Sequence, residues 1–461
     1  MKIETPDKEV LNKAKMAEFN RVATTCLAKH WVKSLAKQTL AYEAEHYPRA
    51  RARQQAAFES FNGAIGAFAA DLMYHYGNHE AEGFMYRPLD REELSHTLVS
   101  ARNFEKLVQY WGNLGWLEMT GHIKATDDWE GQKIPGYSRA RRYRATVSFV
   151  EQAQACQITP DTVTAHFEIN GNQVDLVQFR ETNKTAHGQR RGGKRVRLKG
   201  PAADYQLQTM RRLNRAMQAH SYSLKEPPTL RRLFNCVERD GFDFDLGGRF
   251  YCSSSDDWME MPKEERKHIT IDGEATTEID VSASHLFILY AIHGERLDYV
   301  SDPYNVAEYP RDVVKQIIVT MIGAGKPPQR WPKGFTKRYK QQHGHLPIKD
   351  YKLKDVREAV LRKHPLLKKL KTGKLDWANL QFEEAECFLA AMLSLHEAKS
   401  IPSLPVHDSL IVRQSDVHIA KEILEKSYKD RLGFAPKVTI SPPKEIFGYP
   451  RGTLRYPSKL Y

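Results

Sequence analysis

The sequence predicts an α+β fold built from several domains. Three observations carry that expectation. Alanine-rich, charge-mixed segments with helical spacing occupy residues 8 to about 80. Two short strands, LEMTGHIK and RARRYRATV, follow a further helical pattern. Beyond residue 236 the chain alternates strand-like and helix-like islands, ending in LPVHDSLIV, two apolar runs around a polar centre. At 461 residues the chain exceeds what one ordinary core can organise, so two to four domains are expected.

Composition narrows the class. Hydrophobic residues make up 41%, enough for globular packing. No apolar run approaches the roughly 18 residues that span a membrane, and MKIETPDKEV has no apolar leader core. The five cysteines (Cys26, Cys156, Cys236, Cys252, Cys387) are scattered without a CxxC pair, which points to a reducing, cytoplasmic setting and away from zinc. Lys plus Arg exceed Asp plus Glu by 70 − 57 = 13, favouring a polyanionic partner.

The elements follow in order. Residues 1–85 are expected to be a helical N-terminal region, and Tyr86-Arg87-Pro88 marks its boundary. Leu94, Leu98, Phe104, Leu107, Val108 and Trp111 recur at helical spacing and stop at Gly112 to Gly115. Helices followed by a hairpin with an arginine-rich arm are the layout of a winged helix, assigned here to residues 86–150. Arg139, Arg141, Arg142 and Arg144 would then contact DNA phosphates. Residues 151–235 form a connector: the basic run KTAHGQRRGGKRVRLK reads as a solvated loop able to close on a nucleic-acid backbone. A thumb-like helix with Leu207, Met210, Leu213 and Met217 on one face follows it.

Residues 236–461 hold the chemistry in four islands: GGRFYCSSSDDWMEMP, TTEIDVSASHLFILYAIHG, RDVVKQIIVTMIGAG and LPVHDSLIV. Glu278, Asp280 and Ser282 alternate with Ile279 and Val281 as in a strand, and Asp408 sits in a turn between apolar strands. A carboxylate amid apolar flanks demands compensation. Two carboxylates brought together repel unless divalent cations bridge them, and two magnesium ions roughly 3.5–4 Å apart are a means of phosphoryl transfer. Arg311 and Lys315, four residues apart on one helical face, would clamp a triphosphate.

In order and content these islands resemble the A-family polymerase superfamily: right-hand palm DNA polymerases and the single-subunit RNA polymerases of phages and mitochondria. GGRFYCSSSDDW is similar to the segment ahead of motif A, EIDVSAS to motif A, RDVVKQIIVTMIGAG to motif B and VHDS to motif C. The resemblance covers about residues 240 to 441. It implies an antiparallel palm sheet with small helical fingers, and two Mg2+ ions (Mn2+ able to substitute) on the catalytic carboxylates of Asp280 and Asp408. It further implies nucleotide contacts from Arg311, Lys315, Arg249, His285, Val319 and Gly323, and primer or template contacts from Gln381, His407 and Ser409.

Three departures matter. His285 stands where the DNA enzymes have a glutamate, Gly323-Ala324 replaces a Tyr-Gly pair, and motif C ends in Ser409 as in the RNA polymerases. The expected partners are a DNA template, nucleoside triphosphates and an RNA or DNA product strand. The expected activity is template-directed nucleotidyl transfer that tolerates ribonucleotides, as a primase or RNA polymerase would. The alternatives are a DNA polymerase strict for deoxynucleotides, a non-catalytic winged-helix initiator or regulator, and a two-metal nuclease. The last leaves Arg311 and Lys315 without a role.

Overall fold

The computed structural model describes residues 8–89, 91–95, 97–120, 123–129, 132–170, 175–184, 190–253, 257–306, 309–371 and 374–441. It is an α+β fold whose contacts separate two compact units: residues 1–178 with 195–197, and residues 179–194 with 198–461. No described helix is long and apolar enough to cross a membrane. All five cysteines are unpaired.

The first unit is built on α1 (Cys26–His46), α2 (Gln55–Tyr76) and α3 (Ala101–Asn113). Side-chain oxygens of Thr25 and Ser100 accept from backbone amides of the first turns of α1 and α3, which sets where those helices start. Between Ala14 and Thr25 the chain is not the expected helix. Phe19 N donates to Asp71 Oδ2 at 2.7 Å and Arg21 Nε to Asp71 Oδ1 at 3.2 Å, tying that segment in extended form to a buried carboxylate of α2.

β1 (Lys15–Met16) runs parallel to β2 (Met85–Tyr86), which pairs with the strand Arg142–Ala145, itself paired with β3 (Leu117–Met119). The expected pairing of LEMTGHIK with RARRYRATV is present as β3 against the strand Arg142–Ala145, which is β6, and much of the polar loop expected between them is itself a hairpin, β4 (Ile123–Trp129) against β5 (Gln132–Arg139). One apolar cluster runs from Ala17 through Phe68, Phe104, Trp111 and Tyr143 to Phe167, with the Phe68 and Trp111 rings stacked at 4.8 Å. The boundary expected at residues 85/86 therefore does not separate two cores. The helix-and-hairpin unit shares its interior with α1 and α2, because neither face of α3 closes a core alone.

β7 (Val177–Lys184) and β8 (Arg190–Val196), whose ends Val177–Gln178 and Arg195–Val196 count with the first unit, join β9 (Leu230–Asn235) and β10 (Gly247–Cys252) in a sheet of order β8-β7-β9-β10. Much of the basic run predicted as a loop is thus strand. Its Arg195 is buried against the carboxylates of Asp175 and Glu93. α4 (Pro201–Met217) packs on β9. Gly247 and Gly248 sit at φ +81° and +70°, where an added Cβ would meet Asn235 N at 2.9 Å and the Arg232 guanidinium at 2.8 Å.

A second sheet holds the islands. β11 (Glu274–Val281) pairs antiparallel with the strand Ser409–Arg413, which pairs in turn with β12 (Ser403–Val406). The Ser409–Arg413 strand is β13, and β14 (Val438–Ile440) pairs antiparallel with the C-terminal end of β11. Helices α5 (Ser284–Ile292), α6 (Arg311–Ala324), α7 (Lys333–His343), α8 (Leu353–Lys363), α9 (Trp377–Leu393) and α10 (Val417–Leu432) complete it. The apolar faces of α5, α9 and α10 meet at Phe287, Phe388 and the fully buried Tyr428.

One polar cluster in the first unit yields a stability test. The buried Glu43 carboxylate accepts from Arg53, Lys106 (3.0 Å) and Tyr110 Oη (3.1 Å). Burial pushes its pKa up, but the bonds from Arg53 and Lys106 win and hold it below the ordinary value. Its stabilisation is therefore full above the unfolded carboxylate pKa and is lost as pH falls through the lowered folded value. Glu43→Gln should cost about 3 kcal/mol at pH 7, the loss expected when one partner of a buried ion pair is removed. Calorimetric melts should show that gap narrowing in acid.

Candidate active site

Alternation along β11 decides where Asp280 points. Ile279 and Val281 are buried in the core, so Glu278 and Asp280 occupy the other face. The register sets Asp280 opposite Ser409, and Val281 N donates to Asp408 O at 3.0 Å. Val406 pairs with Ser409, leaving His407-Asp408 as a two-residue turn in which His407 takes φ +54°. The strands on either side are buried along almost their whole length, and Trp258 Nε1 braces them by donating to Pro405 O at 3.0 Å. Two carboxylates distant in sequence thus meet at one end of the sheet.

Their electrostatics follow from that placement. Burial, then the charges of Asp408 and Glu278, push the Asp280 carboxyl up to about 6 against the opposing pull of Lys263 and Lys315. Burial and the nearby Glu384 charge raise Asp408 as well. No ion pair among the described residues neutralises either one.

A cleft of about 1070 Å³ opens over them. It is lined by Asp280, Asp408, Arg249, His285, Arg311, Lys315, Val319, Gly323 and His407, so nine of the residues expected from sequence converge there. On α6, Arg311 and Lys315 share a face with Val319 and Gly323, one helical turn apart each time. Arg311 Nε lies 2.5 Å from Asp302 Oδ2. The Arg311 and Lys315 cations sit 5.0 and 5.8 Å from the ring centre of Tyr304, another residue of the cleft wall.

Other expectations are not met. Ser409 does not line the cleft: its buried hydroxyl, with one proton to give, lies 2.7 Å from Glu278 Oε1 and 3.0 Å from Val406 O, and donation to the carboxylate ties the hairpin to β11. Gln381 is buried with its Oε1 unbonded and is also absent from the cleft wall. In the first unit, Arg142 donates to Leu11 O and Ala140 O and stacks on Tyr86, and Arg144 pairs with Glu118 and Glu82 over Phe84. Both guanidiniums are engaged by protein groups, which corrects their assignment as phosphate contacts. Arg141 is exposed, and the side chain of Arg139 lies outside the described residues.

Sequence inspection missed Glu384. It lies on α9 and lines the cleft, and its buried carboxylate accepts from Ser284 Oγ (2.6 Å) and Arg249 (2.7 Å). His285 Nε2 lies 3.5 Å away. Burial opposes its charge, but His285, Arg249 and Ser284 together hold its carboxyl far below the ordinary range. A signal was present: Glu384 is an acidic residue three positions after Gln381 in an otherwise apolar helical stripe.

Among the described residues no cluster of three or more His, Cys, Asp or Glu is arranged as a ready metal site. The donor set nevertheless suits a hard divalent ion. Magnesium takes one or two carboxylates and completes its shell with water and substrate phosphate, and Asp280 and Asp408 are two carboxylates whose repulsion a cation would relieve.

No protein-family model matches the chain, and no curated protein matches it. A solved structure described as the POL domain of Pol1 from M. smegmatis in complex with DNA primer-template and dNTP is similar at 10% identity and a TM-score of 0.29, over 94% of this chain and 68% of that one.

The raised Asp280 carboxyl has a measurable cost. The folded state holds this proton more tightly than the unfolded chain does, so the penalty is absent below the ordinary aspartate pKa and grows as pH rises through about 6. In EDTA at pH 8, Asp280→Asn should stabilise the protein by about 1–3 kcal/mol. At pH 4 the gain should vanish, as thermal melts at both pH values would reveal.

Proposed function

We propose that the chain is a DNA-template-directed nucleic-acid polymerase that transfers nucleotidyl groups from nucleoside triphosphates. The observation that supports this best is the single cleft that gathers the Asp280/Asp408 pair with the Arg311/Lys315 pair. Chemistry of this kind needs anionic ligands at one end of a triphosphate and fixed cations at the other. A nuclease needs only the former, so the cation pair favours polymerisation. An idle palm would retain two mutually repelling, partly buried carboxylates at a cost with no return.

Divalent cations held by Asp280 and Asp408, Mg2+ with Mn2+ as a substitute, would supply activation of the attacking hydroxyl and neutralisation of phosphoryl charge. The chain's own groups do the rest. Arg311 and Lys315 bind and orient the triphosphate, Arg311 exchanging its contact with Asp302 for phosphate oxygens. Arg249 and His407 stand in the same cleft as the carboxylates, Arg249 toward the nucleotide and His407 where the growing strand's end would lie. The helix-and-hairpin part of the first unit is assigned to template DNA, with Arg139 and the exposed Arg141 as its candidate phosphate contacts.

On the sugar, the proposed enzyme tolerates ribonucleotides, as in primer or RNA synthesis; the alternative is a strict deoxynucleotide enzyme. A Cβ added at Gly323 would meet nothing within 4 Å. No ring therefore stands at that position to exclude a 2′-hydroxyl.

Asp280→Asn and Asp408→Asn should each abolish magnesium-dependent incorporation while DNA binding persists; substantial residual synthesis would remove the metal assignment. Arg311→Ala and Lys315→Ala should raise nucleotide KM and lower kcat together, because their contacts strengthen as phosphate charge builds. On one template, kcat/KM for ribonucleotides should equal or exceed that for deoxyribonucleotides. A deoxy preference above about a hundredfold, roughly 2.7 kcal/mol, would favour the strict DNA enzyme.

A further inference from the structure

His285 and Glu384 form a unit that the function above does not use. Glu384 is anchored on three sides: Ser284 Oγ at 2.6 Å, Arg249 at 2.7 Å and His285 Nε2 at 3.5 Å. Tyr428 Oη lies 3.3 Å from Ser284 Oγ behind it, and the Glu384 side chain is only 3% exposed. The anchor is rigid because its parts come from β10, the first turn of α5, α9 and α10, all packed together.

His285 has a divided environment. Its Nε2 is buried and makes no hydrogen bond; the polar group it faces, at ion-pair range of 3.5 Å, is the Glu384 carboxylate. The side chain is 27% exposed and lines the cleft that holds Asp280 and Asp408. A carboxylate only accepts hydrogen bonds, so it selects a proton on Nε2. In the neutral ring Nδ1 is then left as an acceptor for whatever enters the cleft.

We propose that Glu384 is a positioning residue that fixes the Nε2–H tautomer and the orientation of His285, so that the imidazole accepts a hydrogen bond from a sugar hydroxyl of the incoming nucleotide. This rests on the polymerase reading of the cleft and names the substrate class that reading leaves open: the ribonucleoside triphosphate. A ribose 2′-hydroxyl donates to Nδ1, whereas a deoxyribose leaves that acceptor unpaired, and a site built for a hydroxyl discriminates against its absence. Selection would be positive, by a made bond, rather than by a ring at position 323.

Two measurements test this. In 15N-histidine NMR of the nucleotide-free protein, the resonance pair lost in His285→Ala should show the Nε2–H tautomer, and Glu384→Gln should shift it toward a tautomer mixture. Second, the ratio of ribo- to deoxyribonucleotide kcat/KM should fall roughly tenfold in His285→Ala and in Glu384→Gln, about the worth of one hydrogen bond. The double variant should fall no further, because the two act as one unit. Glu384→Gln keeps side-chain shape, and thermal melts identify any variant that has not folded; His285→Ala, at a half-buried position, then carries the test alone. A ratio unchanged in His285→Ala, an equal loss on both sugars, or an Nδ1–H tautomer in the wild type would overturn the proposal. If the wild-type protein incorporates neither sugar, the polymerase reading falls and takes sugar selection with it. The NMR arm would still decide whether Glu384 sets the tautomer.

Discussion

The antiparallel pairing of β11 with β13 is the constraint on which the site depends. It joins a strand at residue 280 to a turn at residue 408 and presents two carboxylates at one end of a buried sheet. The sheet has no freedom to separate them. Both strands of the turn are buried almost throughout, Ile279 and Val281 anchor β11 in the core, Trp258 is bonded to the turn strand, and Ser409 is bonded across to Glu278. Burial first, then the Asp408 and Glu278 charges at Asp280 and the Glu384 charge at Asp408, leave both carboxyl groups holding their protons above the ordinary range.

A second, opposite electrostatic device lies a few side chains away. Glu384 is more deeply buried than either aspartate, yet Arg249, His285 and Ser284 hold its proton affinity far below the ordinary carboxyl range. Buried charge is tolerated here because it is paired and hydrogen-bonded, whereas at Asp280 it lacks such a partner. One cleft therefore contains carboxylates of two kinds: a satisfied one that organises its neighbours, and an unsatisfied pair suited to recruiting cations.

The arginines of the first unit show the limit of reading function from residue type. Arg142 and Arg144 have the composition of a phosphate-binding arm, but each finds carbonyl or carboxylate acceptors and an aromatic ring within its own unit. Nothing local in RARRYRATV indicates this, since the partners Leu11, Tyr86, Glu82 and Phe84 come from distant segments. The basic run near residue 190 behaves likewise. It pairs as a strand, and Arg195 is consumed by acidic neighbours.

By itself the sequence determined the α+β class, the strand character around Asp280 and Asp408, the helix carrying Arg311 and Lys315, and nine of the residues that line the cleft. Those features follow from short-range rules: alternation on strands, i to i+4 spacing on helices, and apolar runs bounding a polar turn. Tertiary structure alone decided that residues 85/86 separate no cores, that Ser409 and Gln381 stay off the cleft wall, and that Glu384 lies behind His285. The reason is physical. A side chain's partners across a sheet or between helices depend on register and packing, and those bring together residues that no local pattern connects.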